Sequence, residues 1–106
     1  MTASPSIQPA PWTVEYLPYQ AQDDREIPNY RINDANGDAI CETNEDLPDE
    51  AQVKAADLIS SAPELYKALA LGEALADVDH SDFWAAFEDF LLTARPALAK
   101  ARGGRS

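Results

Sequence analysis

Histidine and cysteine are almost missing from this 106-residue chain, which has one of each, His80 and Cys41. A lone cysteine excludes an internal disulfide, and no Cys/His cluster exists to assemble a zinc site. Basic residues are scarce too: eight against nineteen carboxylates, for a net charge of −11. Such a surface repels phosphate over most of its area and argues against direct nucleic-acid binding. No stretch approaches the roughly 18 apolar residues of a membrane span. The opening MTASPSIQPAP has neither the basic start nor the apolar run of a secretory signal. No glycine-rich phosphate loop is present. These absences predict a soluble intracellular protein in a reducing compartment, with no cofactor and no metal.

What the chain does contain is 45% apolar residues, enough for one domain with a modest core. Its eight prolines fall mostly before Pro63 and predict irregular entry segments. Residues 1–11 read as a flexible arm. WTVEY then alternates, with Trp12, Val14 and Tyr16 on one face, as a half-buried strand does. Pro18 stops it, and QAQDDREIP reads as a charged loop closed by Pro28. NYRIND and GDAICET flank Asn36-Gly37, a strong hairpin signal because both residues accept positive φ. Tyr30 and Ile32 share a face, with Ile40 able to join them across the turn.

The same hairpin carries oxygen ligands at calcium-loop spacing: Asp34, Asn36, Asp38, Glu42 and Glu45 occupy positions 1, 3, 5, 9 and 12. An EF-hand needs glycine at position 6, where this chain has Ala39, and a helix on each side, where YRI reads as strand. The hairpin is the better reading.

Helical patterning begins near Asp49, with Asp46 as the candidate cap and Pro48 in the first turn. Ala51, Ala55, Leu58, Ile59 and Ala62 form a narrow apolar stripe. Pro63 restarts the helix, Ser61 and Glu64 standing in capping-box positions. Leu65, Leu69, Leu71 and Leu75 carry it to about Ala76, with Gly72 a weak point. A third helix opens at DVDHSD, capped by Asp79 or Ser81. Phe83, Trp84, Phe87, Phe90, Leu91, Ala94 and Leu98 then share a wide face. Pro96 should kink or end it. The fold expected is α+β: a small three-stranded antiparallel sheet followed by two to three helices packed on one face. The domain spans residues 12–100, and 101–106 form a flexible basic tail. The aromatic stripe suits a core closing over the sheet; the alternative is dimerisation through the 83–98 helix.

Chemistry-bearing patterns are weak. Asp79, His80 and Ser81 are consecutive, and neighbouring side chains cannot converge on one reacting atom. Cys41 has acidic neighbours in Glu42 and Glu45, which raise a thiol pKa. No carboxylate pair shows the environment that separates two pKa values. The chain is not expected to be an enzyme. Its densest feature is ETNEDLPDE, where Glu42, Glu45, Asp46, Asp49 and Glu50 crowd a linker and a helix N-terminus. Carboxylates packed this closely on a rigid frame imitate a phosphate backbone, and Asp23, Asp24 and Glu26 would extend the ridge if the two segments meet.

Three segments together resemble a class of small phage and prophage accessory proteins. They are the tryptophan-led strand (Trp12, Val14), an I-x-D-A-x-G-x-x-I hairpin (Ile32, Asp34, Ala35, Gly37, Ile40) and an A-x-L-I-x-x-A-P-E-L helix. The helix match falls on Ala56, Leu58, Ile59, Ala62, Pro63, Glu64, Leu65, Ala68 and Leu69. Where that class carries a helix asparagine, this chain has Ala55 or Asp57. The resemblance covers residues 12–70 and implies an accessory protein working in the host cytoplasm, such as an anti-CRISPR or other anti-defence protein. The expected function is inhibition of a host nucleic-acid-binding defence complex, with Glu42, Glu45, Asp46, Asp49 and Glu50 facing a basic partner. Two alternatives stand beside it: a binder of a small signalling nucleotide, using Arg25, Arg31, Lys54 and Lys67, and an oligomerising accessory protein.

Overall fold

The computed structural model describes residues 8–103. Strands β1 (Thr13–Tyr16), β4 (Tyr30–Asn33) and β5 (Ala39–Glu42) form an antiparallel sheet in the order β1-β4-β5. Where the sequence reads as a loop after Pro18, a two-stranded ribbon forms instead: β2 (Tyr19–Gln20) against β3 (Glu26–Ile27). Pro18 and Pro28 lack the amide hydrogen that a ladder needs, so they split one long hairpin into two short ladders. Leu17 N–H still donates to the Asn29 carbonyl at 2.8 Å between them.

The Asn36-Gly37 hairpin forms, but only Gly37 takes positive φ, at +86°. Asp34 O accepts from Gly37 N–H at 3.1 Å and Asp34 N–H donates to Asp38 O at 2.9 Å, giving a three-residue loop built on a type I turn. The register then shifts: Ile32 faces Cys41, Asn33 faces Ala39, and Ile40 is the extra residue. Cys41, rather than Ile40, therefore shares the face of Ile32.

Helix α1 (Asp49–Ser60) lies against β1 and β4. Its N-cap is Pro48, not Asp46, whose N–H donates instead to Asn44 Oδ1. The buried face is also not the predicted stripe. Gln52, Ala56, Asp57 and Ser60 point inward while Leu58 is 56% exposed. Hydrogen bonds make the polar choice possible. Gln52 accepts from Thr43 Oγ1 at 2.6 Å and donates to the Leu47 carbonyl at 3.0 Å. Ser60 and Ser61 donate to the Asp57 carbonyl at 3.2 and 2.7 Å. A buried polar group with its partners in place costs little.

Helix α2 (Ala62–Ala74) starts as the proline predicts, although Ser61 makes no capping bond and Glu64 pairs with Lys100 at 3.2 Å. After short 3₁₀ turns at Leu75–Asp77 and His80–Asp82, α3 (Phe83–Ala101) runs back along α2. Neither Asp79 nor Ser81 makes a side-chain cap. Pro96 does not end α3. The aromatics do not close over the sheet; Phe83, Phe87 and Phe90 stack along α3, with Phe90 beside Gly72 of α2. The α2–α3 hairpin thus projects from the body, and the radius of gyration is 17.7 Å, against about 13 Å for a compact chain of this length.

Both ends of the described chain are fastened. Gln8 Nε2 donates to Asp34, Ala35 N–H donates to the Pro9 carbonyl, and Lys100 Nζ donates to the Trp12 carbonyl. Gly103, at φ +86°, closes α3 by donating to the Lys100 carbonyl, and a Cβ there would stand 2.9 Å from Asp57 Oδ2. Residues 1–7 of the expected arm and 104–106 of the expected tail lie outside the described residues.

Candidate partner-binding site

Three tyrosines join the two acidic segments. Tyr16, on β1, and Tyr30, its register partner on β4, pack with ring centroids 4.9 Å apart. Tyr16 donates its hydroxyl to Glu26 Oε1 at 2.8 Å, and Tyr30 donates to Asp49 Oδ1 at 2.6 Å. Tyr19, on the ribbon, donates to Glu45 Oε2. Glu26 and Asp49 therefore meet at the Tyr16–Tyr30 pair near the N-terminal end of α1, and Glu45, with Asp46 beside it, is tied to the ribbon through Tyr19. The negative field is felt by the phenols. The Tyr16 pKa is raised, first by its bond to Glu26 and then by burial, with Glu26 and Asp49 adding their charge. The Tyr19 pKa is pushed up to about 12, chiefly by its bond to Glu45, then by burial and the charges of Glu45 and Asp46.

Three of the five carboxylates singled out in the sequence stand beside these tyrosines, Asp49 at the Tyr16–Tyr30 pair and Glu45 and Asp46 at Tyr19. Glu42 does not. It stands opposite Arg31 in the register and accepts from Asn29 Nδ2 at 2.9 Å. Successive strand residues alternate sides, so Arg31 and Glu42 project from the face opposite Tyr30. Glu50 is exposed and pairs with Lys54 at 3.3 Å, one turn along α1. Glu26 was named in the sequence as a possible extension of the ridge, but the ribbon strands that place it and Tyr19 were hidden by the assumption of a loop. The signal that exposes them is the pair of prolines, Pro18 and Pro28, bracketing two short segments equally spaced about a turn.

The cluster makes a direct spectroscopic prediction. Tyr19 should ionise near pH 12, later than the ordinary phenol near 10. Glu45→Gln should bring one phenolate transition back toward the ordinary value in an ultraviolet titration. If the tyrosine titration is the same in both proteins, the Tyr19–Glu45 contact does not exist in solution.

The remaining candidates resolve into structure. Asp34, the first position of the calcium-loop pattern, is 4% exposed, and its Oδ1 already accepts from the Asn36 and Asp38 N–H groups. Burial would raise its pKa, but the bonds from Asp38, Gln8, Asn36 and Gly37 outweigh it and hold the carboxyl below the usual range. No group of three His, Cys, Asp or Glu side chains able to hold a metal occurs among the described residues. Burial, rather than the acidic neighbours, pushes the Cys41 thiol up. Glu15 is lowered by bonds from Asn33 and then Arg31. A groove of about 560 Å³ runs between β1 and α1, floored by Trp12, Val14, Tyr16 and Ala56. Its one cation, Lys100, is held by Glu64 and the Trp12 carbonyl. Among the described residues, no helix is long and apolar enough to cross a membrane.

Neither curated proteins nor solved structures yield a match to this chain. A family model does, over residues 1–105, nearly the whole length and well beyond the motifs of residues 12–70. That agrees, at the level of origin, with the phage character suggested by the hairpin and helix motifs. The chain belongs to the family of Salmonella phage P22 protein Y8K6.

Proposed function

We propose that this phage-family protein works without catalysis, as an acidic binding module that docks on a basic host protein, and that the partner is a nucleic-acid-binding defence complex of the anti-CRISPR-targeted kind. The observation that carries the reading is that tyrosines of the paired strands hold Glu26, Asp49 and Glu45, with Asp46 beside Tyr19. Three carboxylates bonded to tyrosines of the paired strands present charge at fixed positions, whereas a solvated linker would spread it. A lysine- or arginine-lined channel meets duplex DNA as one charge per roughly 1.7 Å of axis, and only a crowded anionic surface competes for it. The long-range field of a chain at −11 speeds the encounter. Tyrosine faces then supply apolar contact and cation–π partners for arginine. Glu42, on the opposite face of the sheet, and Glu50, paired with Lys54, stand apart from these tyrosines.

The nucleotide-binding alternative draws less support. Arg25, Arg31 and Lys54 are ion-paired to Asp23, Glu15 and Glu50, at 2.6, 2.9 and 3.3 Å, and a phosphate would have to displace those carboxylates.

The test is charge reversal. Lysine at positions 45, 46 and 49 together should abolish protection of a phage in a plaque assay against a defence-bearing host. Affinity for the captured host complex should fall at least about a hundredfold and the salt dependence should flatten. Circular dichroism verifies folding of the variant. Unchanged protection by a folded triple variant removes the electrostatic mechanism.

A further inference from the structure

We infer that the α2–α3 hairpin is a self-association surface and that its occupant is a second copy of this chain, packed antiparallel along α3. Four observations converge on that occupant. The first is periodicity. Trp84, Phe87, Leu91, Ala94 and Leu98 recur at alternating intervals of three and four residues, the a/d seam of a helix pair. Yet α2 leaves both ends of this seam open: Trp84 is 71% and Leu98 41% exposed.

The second is shape. Leu65 and Leu69 of α2 and Phe90, Ala94 and Leu98 of α3 line an apolar depression of about 140 Å³, with Leu69 itself 73% exposed. The depression lies at the C-terminal part of α3 and Trp84 at its start. An antiparallel two-fold pairing brings the indole of each copy toward the depression of the other, as an isologous interface requires.

The third is charge. The beginning of α3 and its entry turns carry Asp77, Asp79, Asp82, Glu88 and Asp89, whereas its end carries Arg95 and Arg102, with Lys100 engaged by Glu64. Antiparallel copies set acidic half against basic half. Glu88 and Arg95 both flank the seam at the same heptad position, so each would face the other across the two-fold. A parallel pairing would oppose like charges.

The fourth is area. The chain exposes 7643 Å², where a globular monomer of this mass exposes about 5,800 Å². The surplus exceeds the roughly 800 Å² per partner that a stable specific interface removes. The acidic cluster sits at the opposite end of α1 from the Asp57–Gly103 contact, so the dimer would carry two such clusters, both open.

Sedimentation equilibrium of the full chain from low to high micromolar concentration tests the proposal. The wild type should be a dimer at the upper end. Trp84→Ala should raise the dissociation constant by on the order of a hundredfold. Glu88→Arg alone and Arg95→Glu alone should each raise it about tenfold, and the double swap should restore it. Both positions are exposed, so these variants keep their fold. A wild type that stays monomeric throughout overturns the inference. So does a dimer indifferent to Trp84→Ala, and so does a double swap no better than the single variants.

Discussion

Ile32→Ala should cost about 3 kcal/mol of folding stability, within the range of roughly 2 to 5 for such a truncation, and lower the melting temperature by about 10 °C or more. Few side chains of this domain can have so large an effect. Ile32 is fully buried, and among the described residues the other buried apolar ones are the alanines Ala56, Ala68 and Ala97, of which only Ala56 lies in the sheet–α1 layer. Ile32 sits on the central strand β4, between Val14 of β1 and Cys41 of β5, with α1 above. Truncation opens a cavity that paired backbone on two sides prevents from closing. Domains of this size have about 5 to 15 kcal/mol in total, so a substantial fraction of the margin rests on one side chain. Urea unfolding followed by circular dichroism measures it, at fixed protein concentration because association adds to apparent stability. A loss below about 1 kcal/mol would mean that the packing around Ile32 is looser than described.

Gln52→Glu should be at least as damaging at neutral pH and should recover in acid. The side chain of Gln52 is fully buried; its Oε1 accepts from Thr43 and its Nε2 donates to the Leu47 carbonyl. Substitution replaces the donor with a carboxylate oxygen facing that carbonyl, leaving a buried charge without a matching cation. The cost is on the order of 3 kcal/mol or more. Burial raises the pKa of the new carboxyl above its unfolded value of about 4.3. The protonated form is therefore the one the native state tolerates, and it can donate to Leu47 as the amide did. The deficit against wild type should be small below the unfolded pKa and should grow as pH rises through the folded one. Urea midpoints of both proteins at neutral pH and near pH 4 measure it. A deficit that does not shrink in acid would show that the Gln52 amide is not donating.

The fold class could be read in the sequence because the signals that specify it are local. Alternation in WTVEY, Asn36-Gly37 between two β-prone runs and Pro63 after a helical run each act within a few residues, and each marks a boundary found in the structure. The faces were harder. Hydrophobic periodicity assumes that polar residues go outside, yet Gln52, Asp57, Ser60 and Ser61 go inside because partners distant or local in sequence satisfy them. A pattern of apolar positions contains no term for a hydrogen bond from Thr43. The acidic site was half legible. ETNEDLPDE is conspicuous as composition, but strand register turns Glu42 away and tyrosine contacts draw Glu26 in. Register depends on the one-residue bulge at Ile40, which the hairpin motif does not announce.

The clasp between the two ends of the described chain bears on how the protein is made. Lys100 reaches the backbone of Trp12 across 88 positions of sequence, and Gly103 closes α3 against Asp57. During synthesis the Trp12 carbonyl waits for Lys100, which stays inside the ribosome's exit tunnel long after the sheet residues have emerged. The sheet and α1 can form on the nascent chain, but the fastening at Trp12 must wait until the last turn of α3 has cleared the tunnel.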